Sequence, residues 1–280
     1  EVSRLNFAVS NSRGLGIIFV FRLSVACCRL RHHFNVTHDI TEHRGASMSI
    51  LDSFKKRSTL DAAIKQIAQA RKSEGAKAEQ LYQGAYQGFA SVLHGNLMFS
   101  EALYHWGFGL LHEARSKPAE QAVAVYEDAI AKFSFCLLSN PDYLGAAIDG
   151  GVAFMELARI TAEQERDGLY QLAEEFFEKA CNIQKGSAAY NLACVYALRG
   201  DLDRCYSALQ QAKEFGSLPD VQVILNDDDM ANAKPQAWFK DFVEALQAQP
   251  QAAREKIVDV DINAEPSFKL KKSEDFDYYS

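Results

Sequence analysis

Three arginines recur at a fixed interval of 44 residues: Arg71, Arg115 and Arg159. A guanidinium is permanently charged and presents a planar fork of donors, so a ladder of them can grip carboxylates through two bonds at a time. Each arginine ends a row spaced i, i+4, i+7, i+11. The rows are Leu60, Ile64, Ile67, Arg71, then Tyr104, Phe108, Leu111, Arg115, then Ile148, Val152, Met155, Arg159. On a helix such a row occupies one face, which sets the ladder beside an apolar strip. The chemistry expected there is recognition of an acidic, partly hydrophobic peptide. The competing expectation is an ordinary one: the arginines pair with Glu74, Glu113 or Glu163 at the surface, and the apolar row is core.

A second set, Glu101, His105 and His112, falls at i, i+4 and i+11, with His94 upstream. Carboxylate and imidazole at that spacing can take a metal, so a metal-dependent enzyme is one alternative. Yet H-E-x-x-H is absent, and Gly145, Asp149 and Glu156 occupy the matching places one interval on. No phosphate-cradling glycine loop or nucleophile elbow is present either. No catalytic residue, metal or cofactor is therefore expected. The six cysteines (Cys27, Cys28, Cys136, Cys181, Cys194, Cys205) show no C-x-x-C spacing and read as thiols of a reducing compartment.

The elements that must carry these residues are helices. Ala, Leu, Glu, Gln and Lys dominate from about residue 59 to 250, and period-two alternation is scarce. The 44-residue register aligns Tyr82, Tyr126 and Tyr170, then Ala85, Ala129 and Ala173, then Phe89, Phe133 and Phe177. Those columns mark a second helix in each unit. The Arg-ended rows mark the first, and the small residues Ala63, Gly107 and Gly151 within it let two helices approach closely.

Ala-x-x-x-Phe in the second helix, Pro141 after it, and a last unit reading Tyr190-Asn191-Leu192-Ala193, Tyr196, Gly200-Asp201, Cys205, Leu209 and Ala212 resemble the tetratricopeptide repeat (TPR) family. The resemblance covers about residues 56–219. It departs from the family in running to 44 residues per unit three times, with the helix tryptophan displaced to Trp106. It implies an all-α, right-handed superhelical solenoid of antiparallel hairpins, about 56–99, 100–143, 144–185 and 186–219. Capping helices would follow over 220–249, like the closing segment after bacterial TPR arrays. It also implies a non-catalytic scaffold that binds another protein or peptide along the first helices: Tyr104, Phe108, Leu111, Arg115, Ile148, Val152, Met155, Arg159, Tyr190 and Asn191. The Lys and Asn of the chaperone-binding subclass are missing, because Tyr104 and Phe108, Ile148 and Val152, and Tyr190 and Cys194 stand in their places.

Residues 1–47 carry six Arg against three acidic residues, which leaves the remainder at −10 of a total −7. That acidic body disfavours nucleic acid. The apolar run from Leu15 to Cys28 is broken by Arg22 and too short to span a membrane. Residues 1–47 are expected to be disordered or outside the natural chain, with Met48 as its start, and the whole to be cytoplasmic. Residues 250–280 are expected to form a disordered acidic tail. An autoinhibited adaptor whose Ser273–Tyr279 stretch fills the groove is a further alternative.

Overall fold

In a computed structural model, residues 50–93 and 99–248 are described. The chain divides into two units, Glu1–Lys56 and Arg57–Ser280, and the helical hairpins belong to the second. The expectations for residues 1–47, for the 250–280 tail and its place in the groove, and for His94 lie outside the described residues.

All regular structure among the described residues is helical. Eight helices come in order: α1 (Ile50–Ala70), α2 (Gly75–Val92), α3 (Phe99–Arg115), α4 (Ala119–Ser139), α5 (Leu144–Ile160), α6 (Glu163–Ile183), α7 (Ala189–Leu198) and α8 (Leu202–Glu214). A closing segment follows, made of α9 (Val221–Asn226), a 3-10 turn (Asp228–Met230) and α10 (Ala237–Gln247). The breaks have local causes. Pro118 precedes α4, where a missing N–H costs nothing. Gly200 turns between α7 and α8 at φ +76°, a conformation that favours glycine. Asp201 then caps α8 by accepting from the Arg204 N–H at 3.1 Å.

α3 packs on α4, α5 on α6 and α7 on α8, while α4 joins the second hairpin to α5. The result is an all-α solenoid of antiparallel helix hairpins. Phe89, Phe133 and Phe177 are wholly buried, and the small residues opposite them explain how. A Cβ on Gly107 would stand 2.9 Å from Cε1 of Phe133, and one on Gly151 would stand 2.5 Å from Cε1 of Phe177. The hairpins α3–α4 and α5–α6 have arms of 17 and 21 residues, against 10 and 13 in α7–α8. At 1.5 Å per residue the longer arms reach roughly 10 Å further. α10 buries Phe239, Phe242, Val243 and Leu246 along one side, as a capping helix must.

Candidate protein-binding face

The first helices of the hairpins, α1, α3, α5 and α7, carry the residues singled out by periodicity, and burial sorts those residues into two groups. Leu111 is 2% exposed, Met155 4% and Phe108 8%. These three pack inside and can only form a floor. Tyr104, Ile148, Val152, Tyr190 and Asn191 are half-buried, so they keep an outward surface.

The arginine ladder is engaged within the fold. Arg71 lies over the Phe108 ring, 5.2 Å from its centroid. Arg115 donates to Glu156 at 3.2 Å. Arg159 reaches Glu156 at 3.3 Å and Asp229 at 2.5 Å. The ordinary expectation of ion pairing thus describes Arg115 and Arg159, with other partners than Glu74, Glu113 and Glu163. Glu113 instead takes Lys117 at 3.0 Å and the Tyr86 hydroxyl at 2.8 Å.

Periodicity missed a set of bonds that tie α1 to α3, α3 to α5, and α7 to the closing segment. Arg57 of α1 donates to both Glu101 oxygens of α3, at 3.0 and 2.9 Å. The Tyr104 hydroxyl of α3 donates to Asp149 of α5 at 3.0 Å, and Tyr190 of α7 donates to Asp227 at 2.7 Å. A signal for the first was present, since Arg57 and Glu101 stand 44 residues apart with opposite charge. Burial pushes the Asp149 carboxyl up to about 6, against the pull of the Tyr104 bond and the Arg115 and Arg71 charges.

Glu101, His105 and His112 do not converge. Glu101 is held by Arg57. The His105 ring is 2% exposed, with Nε2 unpartnered, and burial beside Arg57 pulls it down to about 3, so it stays neutral. His112 sits edge-on to Phe108 at 4.5 Å; burial, Arg71 and Arg115 lower it to about 3 as well. Among the described residues, Cys194, Asp227 and Asp229 do bring ligand atoms within 4.8 Å of one another. Each is engaged with a protein partner: the Cys194 thiol donates to Asp227 at 3.6 Å and Asp229 pairs with Arg159. Burial first, then the two aspartates, holds that thiol protonated, well above its usual pKa.

A cleft of about 360 Å³ lies elsewhere, lined by Gln171, Glu174, Glu175, Glu178, Arg199 and Arg204. Its centre is satisfied, because Glu174 accepts from Arg199 and from Arg204, each at 2.6 Å.

Antiparallel hairpins stacked through an Ala-x-x-x-Phe column give this chain a TPR-like helical-repeat fold. Residues 79–200, under half of the chain, match the family model described as plant specific mitochondrial import receptor subunit TOM20. The crystal structure of a thermophilic TPR protein from Thermus thermophilus is similar at 18% identity and a TM-score of 0.44, over 71% of this chain and 93% of that one. No curated protein matches the chain. The family match corrects the expectation of a cytoplasmic protein, because the matched model describes a subunit of mitochondrial import. No helix among the described residues is long and apolar enough to cross a membrane.

Proposed function

We propose that this chain is a non-catalytic receptor module, of the mitochondrial import kind, that holds a segment of another polypeptide against its first-helix face. Tyr104, Ile148 and Val152 would meet the ligand's apolar side, with Phe108, Leu111 and Met155 as the floor beneath them. One observation carries this reading: the half-buried apolar positions keep an outward surface while the ladder arginines Arg115 and Arg159 already hold carboxylates of the chain itself. An acidic ligand would have to displace Glu156 and Asp229. A segment with one apolar side and basic residues meets no such competition, and a body at −10 outside residues 1–47 attracts it over distance.

The test uses two labelled helical peptides with the same apolar side, one Lys/Arg-rich and one Asp/Glu-rich, followed by fluorescence anisotropy. The basic peptide should bind more tightly, and more weakly as salt rises. Ile148→Asp with Val152→Asp should reduce its affinity by at least about tenfold with helical circular dichroism retained. Tighter binding of the acidic peptide, or equal binding by the variant, would end this reading.

A further inference from the structure

The far end of the first-helix face is covered by the chain's own closing segment. Three polar groups on that face, from two different helices, all turn to the same short stretch. Arg159 of α5 meets Asp229, and Tyr190 and Cys194 of α7 both meet Asp227. The 3-10 turn packs on α7, and Asn232 donates to the Ala197 carbonyl at 2.8 Å. The reason is visible in the helix lengths. α7 stops at Leu198, and the position 44 residues after Glu156 is Gly200, so α7 offers Arg159 no carboxylate of the kind α5 offers Arg115. The aspartates of the turn supply it.

The stretch 227–234 is weakly built for a permanent wall. It consists of one 3-10 turn and the successive tight turns after it, whose backbone bonds are local, and Met230 is its one large buried apolar side chain. Its neighbours are anchored separately. Ile224 of α9 is wholly buried, and α10 is fixed on α8 through Trp238 against Tyr206 and Lys213 over Phe242. The middle can therefore lift while both ends stay docked, the kind of low-stability local opening from which gates are made.

We propose that residues 227–234 are an autoinhibitory latch: Asp227 and Asp229 occupy the last rung of the binding face, and a partner reaches the covered side of Tyr190 when they let go. The partner clause rests on the protein-binding reading; the latch itself does not.

The experiment follows alkylation of the full chain by iodoacetamide, cysteine by cysteine, in wild type and in Arg159→Gln with Tyr190→Phe. These substitutions remove two of the latch's holders, Arg159 and Tyr190, and leave both aspartates in place beside Cys194, so a thiol still covered would react no faster. At least a roughly tenfold faster Cys194 is expected, with Cys136, whose thiol donates to the Ser100 carbonyl at 3.2 Å, unchanged. An unaltered Cys194 rate would overturn the latch.

If Cys136 also speeds up, the variant has loosened globally, and hydrogen exchange on wild type decides. The amides of Ala231, Ala233 and Lys234, bonded only within the turn region, should exchange at least about a hundredfold faster than those of α4; equal protection overturns the proposal. The basic peptide should bind Asn232→Ala, which removes the latch's bond to the Ala197 carbonyl without changing charge or the face itself, more tightly than wild type, and equal affinity would overturn autoinhibition. If no peptide binds either protein, the receptor reading fails while the thiol and exchange results still judge the latch.

Discussion

The Tyr104–Asp149 bond places an ionisable group where the two middle first helices meet, and its titration has a direction. An unfolded Asp titrates near about 3.9, whereas burial raises Asp149 to about 6. Between those values the folded state binds more protons than the unfolded one. This group's contribution to stability is therefore full below about pH 4 and is lost as pH rises through 6. Asp149→Asn keeps an acceptor for the Tyr104 hydroxyl and cannot ionise. It should exceed wild type in urea-unfolding stability by about 1–2 kcal/mol at about pH 8, with the gain vanishing toward about pH 4. A difference that does not change with pH would contradict this account. Residues of this sort mark the limit of what periodicity reveals. The arginine ladder could be read from a 44-residue interval, but the carboxylates that hold it could not. Asp229 lies 70 residues from Arg159, in a segment outside the repeating register, and its identity as a partner exists only in three dimensions.

Elements were far more legible, because the columns that define them are also the contacts that build them. A side chain required at one position of every hairpin, such as Phe89, Phe133 and Phe177, leaves the same mark each time the hairpin recurs. The irregular parts left no such mark: the closing segment occurs once, and nothing repeats to show where it folds back. The glycines separate packing from propensity. Gly151→Ala would push a Cβ to 2.5 Å from the buried Phe177 ring, and overpacking of this kind costs about 1–3 kcal/mol. Gly84→Ala would place its Cβ 3.2 Å from the Gln66 amide, the end of a flexible, half-buried side chain. There the helix-propensity gain of about 1 kcal/mol should dominate. Thermal unfolding is thus expected to fall for Gly151→Ala and to hold or rise for Gly84→Ala. The opposite order would show that the Phe177 column has slack.

On the scale of the whole molecule, each hairpin leans on its neighbour, so the last one depends on what closes it. Ending the chain at Pro219 would strip away Ile224, Met230, Phe239, Phe242, Val243 and Leu246, all buried here. Each such side chain is worth roughly 1.5–3 kcal/mol when fully buried. The shortened protein is expected to melt more than about 10 °C lower and to bind an apolar dye that the full chain does not. A melting point within a degree or two of the full chain would mean that α7 and α8 close the array by themselves. One detail of this architecture matters to anyone who handles the protein. Its two tryptophans stand in different parts of it: Trp106 in α3, stacked on Tyr86 and Phe89 beneath the Lys132 ammonium, and Trp238 in α10, half-buried against Tyr206. Both are half-buried, and excited at one wavelength the molecule carries two native lamps. One reports the hairpins and the other the closing helix, so replacing either by Phe leaves the remaining one to watch its own part without a dye or a label.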